Sequence, residues 1–275
     1  RDRLIDDVEV RFLMRTRHER LVLFLGCGVL AQKTIFIVTE YMDSGSLDTK
    51  LWRQHGTHIP DGGVRKWIQR LSILVDVADA LTFLHITHGG IHRDVKSPNI
   101  LLHRISHDAD ADKGFKRDKV LRYRAKLADF GMSRVVRSGK YSDASSGDDA
   151  KRARLQRATR DEIRKGGWVF KNTRGNLGTA RWMAPEMKGN KVTYGPMVDV
   201  FSFGVVMWEA WARQKPWREI SSEKEILRRV KVEKKRPAIP SEGVRPPQGY
   251  QELMESCWHP IGGSRPLIVS VLEDL

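Results

Sequence analysis

The sequence predicts an α+β protein, built as one large domain or as two lobes around a cleft. Two short β-rich runs, at residues 21–29 and 34–39, lie near the N-terminus. Two long helical patterns follow, because residues 64–85 carry apolar side chains at three- and four-residue spacing and residues 198–212 are apolar on nearly every face. Hydrophobic residues make up 40% of the 275-residue chain, which is ample for a core.

The first elements follow from local patterns. Residues 8–16 are amphipathic and predict a helix, since Val8, Phe12 and Leu13 recur at helical spacing. The two strands come next, and residues 44–47 then open a short helix.

The later elements surround a polar stretch. The helix over residues 64–85 is expected to end at Gly89-Gly90, and strands are expected at residues 100–102 and 126–128. Asp199 lies near the start of the apolar helix over residues 198–212. A carboxylate buried there must be hydrogen-bonded, or it would destabilise the fold by several kcal/mol.

The formal net charge is +15, which raises the question of nucleic acid binding. Residues 104–126 and 134–174 carry net charges of +4 and +7, so two segments expected to be loops hold 11 of the 15 charges. This distribution favours solvated, partly disordered insertions over a nucleic acid surface, although recruitment of an acidic partner remains an alternative.

Two other features bear on cellular location. Cys27 and Cys257 stand in apolar surroundings far apart in sequence, which indicates free thiols in a reducing compartment and hence a cytoplasmic protein. The longest apolar run, residues 21–31, is too short to span a bilayer, so no membrane segment is predicted.

Three motifs occur in a fixed order. The first, H-R-D-x-K-x-x-N, is matched by His92-Arg93-Asp94-Val95-Lys96-Ser97-Pro98-Asn99. The second, D-F-G, is Asp129-Phe130-Gly131, and the third, A-P-E, is Ala184-Pro185-Glu186. The set resembles the catalytic loop and the activation segment of protein kinases. The resemblance implies a bilobal kinase-like fold over residues 1–275. Residues 1–41 would form part of the small lobe (helix C and strands 4 and 5) and residues 42–275 the mainly helical large lobe, with insertions at about 104–122 and 137–172.

The same resemblance implies catalytic roles, because phosphoryl transfer depends on positioning and on neutralising charge. Asp94 would accept the proton of the substrate hydroxyl, and Lys96 would reach the transferring phosphate. Asn99 and Asp129 would supply oxygen ligands to Mg²⁺. The cofactors implied are therefore ATP and Mg²⁺.

Other positions would hold the nucleotide. By resemblance, Thr39 is the gatekeeper, backbone groups near Glu40 and Met42 bond adenine, Ser46 reaches the ribose, and Leu101 forms the floor of the adenine pocket.

A further set would be structural or regulatory. Glu9 would be the helix C glutamate, Asp199 would hold the backbone of the catalytic loop, and Glu186 would pair with Arg265. Arg93 would meet a phosphate on the activation segment, and Thr179 would bond both Asp94 and Lys96. The remaining members of this set are His92, Phe130 and Thr173.

Part of the family pattern is missing. No G-x-G-x-x-G and no strand lysine precede Glu9, and Gly26-Cys27-Gly28 comes after the predicted helix C and is no substitute. The expectation is a fragment of a longer protein, with a degenerate small lobe as the alternative. Residues 1–275 alone are expected to be nearly inactive.

The catalytic loop and the segment before Glu186 indicate the type of kinase. Lys96 and residues 178–186 resemble serine/threonine kinases, whereas residues 38–42 and Cys257-Trp258 look like tyrosine kinases. The mixture is typical of the tyrosine-kinase-like group, which includes Raf-like and mixed-lineage kinases. The alternatives are a pseudokinase scaffold and a tyrosine or dual-specificity kinase.

The expected partners are protein substrates and ATP, together with an upstream activating kinase as an open option. The long segment from Asp129 to Glu186 suggests regulation, since loops of this length are usually functional or disordered. Residues 137–172 are expected to be mobile. The candidate phosphorylation sites are Thr173 and Thr179, then Ser142, Ser145 and Ser146.

Overall fold

A computed structural model describes ten parts of the chain. They are residues 8–30, 34–53, 64–105, 122–131, 133–135, 161, 170–172, 179–187, 192–241 and 245–275. Several predictions lie outside these residues, namely those on Thr173, Ser142, Ser145 and Ser146 and most of both predicted insertions. Glu9 lies within a described helix, but its side chain is outside the description.

In its described residues, the small lobe contains one helix and one hairpin, as predicted. Helix α1 spans Val8–Arg15, and strands β1 (Phe24–Val29) and β2 (Ile35–Thr39) pair antiparallel with Cys27 opposite Ile37. β1 begins three residues later than predicted, because the chain before it pairs elsewhere. Leu21 forms a parallel bridge with Leu127, and the Val22 N–H donates to the Leu127 carbonyl at 3.0 Å.

Helix α2 (Val64–Thr82) forms the axis of the large lobe and continues as a π-helical turn, Phe83–His88. Gly89 ends it with a left-handed φ of 71°, and its N–H donates to the Leu84 carbonyl. Among the described residues, the stretch Trp67–His88 is long and apolar enough to cross a membrane by length and composition alone, yet 56% of that window is buried. Since Leu74, Ala78, Leu81 and Leu84 are fully buried, the stretch forms protein core.

Strands β3 (Gly90–Ile91), β4 (Ile100–Ile105) and β5 (Arg122–Leu127) frame the predicted catalytic loop, with a 3₁₀ turn at Ser97–Asn99. β4 and β5 pair antiparallel from Ile100 opposite Leu127 to Ile105 opposite Arg122. The hairpin therefore includes both ends of the predicted insertion at 104–122. Exposed residues such as Arg104 continue the ladder because backbone hydrogen bonds do not require apolar side chains.

Parts of the predicted activation segment also form strands. β6 (Arg134–Val135) pairs with β3, and β7 (Phe170–Asn172) pairs with β8 (Val192–Tyr194). The predicted mobile insertion at 137–172 thus ends in three residues of described strand. A 3₁₀ turn at Pro185–Met187 lies between β7 and β8.

Helix α3 (Met197–Ala212) lies in the core of the large lobe, and thirteen of its residues, 198–210, are buried. Gly204 allows a close approach, since a Cβ there would lie 2.9 Å from the Cys257 Cβ and 3.0 Å from the Trp258 nitrogen. Helices α4 (Glu223–Lys231), α5 (Tyr250–Cys257) and α6 (Ile268–Asp274) complete the lobe, with a 3₁₀ turn at Gly262–Ser264 and a π-helical turn at Thr49–Arg53.

Candidate active site

Asp199 anchors the beginning of the catalytic loop. The His92 N–H donates to Oδ2 at 2.8 Å, the Arg93 N–H donates to Oδ1 at 2.7 Å, and His85 Nε2 lies 2.8 Å from Oδ2. Burial pushes the pKa of Asp199 upward, but the hydrogen bond from His85 and the nearby histidine charges outweigh it and lower the pKa. Arg93 has a left-handed φ of 71°, a conformation that persists where the surroundings impose it, and these two N–H donors supply that constraint.

The structure brings Asp94, Lys96 and Thr179 together. Thr179 donates to Asp94 Oδ1 twice, from its N–H at 3.1 Å and from Oγ1 at 3.0 Å. Lys96 Nζ donates to Asp94 Oδ2 at 2.5 Å and to Thr179 Oγ1 at 2.9 Å. Asp94 is thus held at both carboxylate oxygens while keeping an exposed fraction of 8%.

Asn99 and Asp129 form the candidate metal pair. Asn99 Nδ2 donates to the Asp94 carbonyl at 3.0 Å and to Asp94 Oδ2 at 3.2 Å, which orients the amide and leaves Oδ1 as its metal-binding atom. Asp129 is exposed, and it is placed beside Asn99 because the Ala128 N–H donates to the Asn99 carbonyl at 2.9 Å. Amide and carboxylate oxygens are suitable ligands for a hard divalent cation. In the part of the chain that is described, no group of three or more His, Cys, Asp or Glu residues could hold a metal ion.

The predicted nucleotide pocket lies along the connection after β2. Thr39 is exposed at the end of β2, and the Glu40 N–H donates to the Leu23 carbonyl at 2.9 Å, so this N–H is engaged within the protein. The Glu40 carboxylate accepts from Lys126 Nζ at 2.6 Å, a pair that the sequence analysis missed.

Farther along this connection, Met42 is buried and its carbonyl accepts from the Gly45 N–H at 3.4 Å. Ser46 forms an isolated antiparallel β-bridge with Leu101, which is half-buried. The Ser46 hydroxyl donates to the Asp48 carboxylate. The Ser46 hydroxyl therefore has a protein acceptor in this structure.

A column of rings connects α1 to the catalytic loop. Phe130 lies 5.2 Å from Phe12 in a stacked arrangement and 5.1 Å from His92 edge-on, with distances taken between ring centroids. His92 Nε2 lies 3.0 Å from the Ala128 carbonyl, and burial lowers the His92 pKa. Phe12 entered the sequence analysis only as an apolar residue, so its contact with Phe130 was not anticipated.

Arg265 and Arg93, for which structural and regulatory roles are predicted, both have hydrogen-bond partners in the structure. Arg265 meets Glu186 in a bidentate pair, with N–O distances of 2.6 and 2.9 Å. Arg93 donates to the Tyr194 hydroxyl at 2.9 Å, at the end of β8. Nothing in the sequence pattern marked Tyr194, because its role depends on the long-range approach of β8 to the catalytic loop.

Sequence comparisons agree with this arrangement. A family model described as the protein kinase domain matches residues 7–274. Serine/threonine-protein kinase CTR1 of Arabidopsis thaliana is 29% identical over 269 residues, which covers 96% of this chain and 25% of that protein. A LIM domain-containing protein of Dictyostelium discoideum, described as a probable serine/threonine-protein kinase, is 30% identical over 270 residues, or 98% of this chain and 32% of that protein.

The chain thus spans about a quarter to a third of the length of these relatives. Membership of the family implies the use of ATP and a divalent metal ion. The fold, the order of the motifs and the match over residues 7–274 show that the chain belongs to the protein kinase domain family.

Proposed function

We propose that the protein transfers the γ-phosphate of ATP to serine or threonine hydroxyls of protein substrates, with Mg²⁺ as the metal ion. The observation that carries the proposal is the cluster in which Lys96 and Thr179 are both hydrogen-bonded to Asp94. Asp94 and Lys96 supply the base and the cation that phosphoryl transfer requires, and Thr179 orients them.

Asp94 acts on the substrate hydroxyl, whereas Lys96, Asn99 and Asp129 act on the phosphate side of the reaction. Asp94 accepts the proton of the substrate hydroxyl as the hydroxyl oxygen bonds to the γ-phosphorus. As that bond forms, the bond from the γ-phosphorus to the β,γ-bridging oxygen breaks, which releases ADP. Lys96 neutralises negative charge on the transferring group. Asn99 and Asp129 would hold Mg²⁺, which when bound draws electron density from the phosphate oxygens.

Three observations support serine and threonine over tyrosine. Thr179 binds Asp94 through both its backbone and its side chain, and the resemblance gives this threonine the role of shaping the pocket for a small hydroxyl side chain. Lys96 is the lysine that the resemblance associates with serine/threonine kinases. The relatives named above are also described as serine/threonine-protein kinases, and they suggest the tyrosine-kinase-like group.

Phosphoamino-acid analysis of a generic protein substrate incubated with the full-length protein tests the proposal, with Asp94→Asn as the control for contaminating kinases. We expect phosphoserine and phosphothreonine that disappear in the control. Mainly phosphotyrosine would contradict the specificity. Binding of ATP without any transfer would indicate a pseudokinase scaffold instead.

We also propose a cytoplasmic location and regulation by an upstream kinase. The location rests on Cys27 and Cys257, both free thiols. Cell fractionation tests it, and recovery of the protein from a secretory compartment would contradict it.

A further inference from the structure

His88 lies where helix α1 meets the end of the π-helical turn Phe83–His88. Its Nε2 atom is 2.8 Å from the hydroxyl oxygen of Thr16, the residue that follows α1. The ring centroid of His88 is 4.9 Å from that of Phe12 and 6.2 Å from that of Phe83. His88 therefore connects the helix of the small lobe to the end of the long helical segment of the large lobe.

The hydrogen bonds of Thr16 determine which ring nitrogen of His88 carries the proton. Thr16 has one hydroxyl proton, and it is donated to the Phe12 carbonyl at 2.7 Å, because a carbonyl can only accept. The Thr16 oxygen must then accept from His88, so Nε2 of the neutral ring is protonated and Nδ1 is not. Nδ1 is buried, and it has no hydrogen-bond partner among the described residues. The structure thus holds His88 as one neutral tautomer.

A charged His88 does not fit this packing. A second proton, on Nδ1, would be a buried donor without an acceptor beside the rings of Phe12 and Phe83. In the described parts of the chain, the charge that acts on the ring is the positive one of Arg15 on α1, which opposes protonation further. Burial, with the smaller effect of Arg15, lowers the pKa of His88 from its ordinary 6.5.

Phe12 carries the position of α1 to the candidate metal site. Its carbonyl accepts from Thr16, and its ring lies against His88 on one side. The same ring stacks on Phe130 at 5.2 Å between ring centroids, and Phe130 directly follows the candidate metal ligand Asp129. If α1 moved away from His88, Phe12 would move with it and Phe130 would lose this support.

We propose that neutral His88 is a positioning residue for phosphoryl transfer, which holds α1 on the large lobe so that Phe12 supports Phe130, and that protonation of His88 releases α1. The inference rests on the proposed kinase activity. In this assignment His88 touches neither substrate nor nucleotide, and it acts through Thr16 and Phe12.

The direction of the pH dependence follows from the lowered pKa of the held ring. Once α1 is released, the His88 ring returns toward its ordinary pKa of 6.5, so the released state binds more protons at mildly acid pH. Attachment of α1 is therefore complete above about pH 6.5 and is lost as the pH falls toward the lower pKa of the held ring. Kinase activity should decline over the same interval.

The test is His88→Gln in the full-length protein. The glutamine amide N–H₂ can replace Nε2–H as the donor to Thr16, and it does not titrate near neutral pH. We expect kcat within about twofold of the parent value at about pH 7.5, since that hydrogen bond is kept. Between about pH 7.5 and 5.5, kcat of the parent should fall at least about threefold more than kcat of His88→Gln.

His18→Gln is the matched control. His18 also stacks on Phe83, at 4.6 Å between ring centroids, but its Nε2 lies 3.8 Å from the Asp79 carboxylate. A charged His18 therefore has an ionic partner in place, and its protonation does not require α1 to move. We expect His18→Gln to keep the acid decline of the parent protein.

Substitution of Thr16 tests the hydrogen bond itself. Thr16→Val keeps the shape of the side chain and leaves Nε2–H of His88 without its acceptor. We expect kcat to fall by about threefold to tenfold at about pH 7.5, the factor that corresponds to one buried hydrogen bond. Thr16→Ser keeps the hydroxyl and should resemble the parent protein.

The inference would be overturned by an acid decline that is the same in the parent and in His88→Gln, or by loss of that decline in His18→Gln. If the parent protein transfers no phosphate, the proposed function fails, and amide hydrogen exchange of α1 tests the attachment separately. Corrected for the intrinsic effect of pH, exchange in the parent should become faster at mildly acid pH, and His88→Gln should prevent this. Unchanged protection of α1 in the parent would overturn the inference whatever the variant does.

Discussion

At the scale of single residues, Asp94 is constrained at every polar atom of its side chain. Oδ1 accepts from the N–H and hydroxyl of Thr179, and Oδ2 accepts from Lys96 and Asn99. Together these four hydrogen bonds fix the orientation of the carboxylate. Asp129 is exposed, and within the described parts of the chain its carboxylate accepts one hydrogen bond, a long one from the Gly131 N–H at 3.4 Å.

This difference predicts opposite phenotypes for two isosteric substitutions. Asp94→Asn should lower kcat by roughly 10²- to 10⁴-fold, the usual contribution of a general base, with little change in ATP affinity. Asp129→Asn should weaken binding of MgATP. Steady-state kinetics together with equilibrium binding of an ATP analogue separate the two, and an equal loss of ATP affinity in both variants would contradict the roles.

Some of these residues could be predicted from the sequence, and others could not. Asp199 stood out as a carboxylate near the start of an apolar helix, and Glu209, near the end of the same helix, carries the same signal. Phe130 and Asp129 were identified because a motif marks them. Tyr194 and Phe12 could not be identified, because their contacts with Arg93 and Phe130 depend on which elements the fold brings together.

At the scale of elements, the Glu186–Arg265 pair connects the turn at Pro185–Met187 to the segment before α6. The Arg265 side chain is fully buried and that of Glu186 is 27% exposed. Arg265 also donates to the carbonyls of His259 and Met197, so the pair fixes three parts of the large lobe.

Glu186→Gln should therefore lower the free energy of unfolding by about 2 kcal/mol, since a buried charged donor loses its ionic acceptor. Glu225→Gln is the matched control, because Glu225 pairs with Arg228 on an exposed face of α4, and it should show no measurable change. Urea denaturation measures both. Equal effects in the two variants would contradict the special role of the buried pair.

The activation segment supplies a prediction on regulation. Thr173 lies outside the described residues and directly follows β7. Since β7 and β8 pair antiparallel, Tyr194 beside Arg93 lies opposite Phe170 at the start of β7, whereas Thr173 follows the other end of the ladder, where Asn172 lies opposite Val192. A phosphate on Thr173 would add roughly −1.5 to −2 charges to the activation segment, with Arg93 as its expected cationic partner. We expect Thr173→Ala to lower activity in the full-length protein, and Tyr194→Phe to alter the response to phosphorylation.

Kinase assays combined with mass spectrometry of the segment test this switch. Unchanged activity in Thr173→Ala, with no phosphate found on Thr173 in the parent protein, would reject it. Limited proteolysis would in addition test the prediction that residues 137–172 are mobile.

The elements themselves were largely predictable, because helices α1, α2 and α3 and the hairpin of β1 and β2 have clear periodicity. The differences arise where backbone pairing is independent of side-chain pattern. Leu21 and Val22 read as part of β1 but bond to Leu127, and β4 continues through the polar pair His103 and Arg104.

At the scale of the whole molecule, the buried Glu209 links stability to pH. Its pKa rises from an ordinary 4.5 to about 8 on folding, because burial disfavours the charged form. Between these pH values the folded state binds more protons than the unfolded state. Stability from this group is therefore complete below about pH 4.5 and is lost as the pH rises toward 8.

We expect the free energy of unfolding to decrease across this interval by up to about 1.4 kcal/mol per pH unit from Glu209 alone. Glu209→Gln removes the titrating group and should flatten the profile there. Urea denaturation at a series of pH values measures the effect, and identical profiles for the two proteins would contradict it.

The hairpin of β4 and β5 has a consequence for how the chain accommodates residues 106–121. Ile105 and Arg122 are paired, so the ends of the intervening chain are held about 5 Å apart by the ladder itself. The ladder therefore closes the chain between Ile105 and Arg122 into a loop. Doubling the number of residues in that loop changes the entropic cost of its closure by only about 0.6 kcal/mol. The hairpin tip is thus a natural graft point, where a folded module with neighbouring termini can be inserted while the register of β4 and β5, and with it the spacing of Asn99 and Asp129, is preserved.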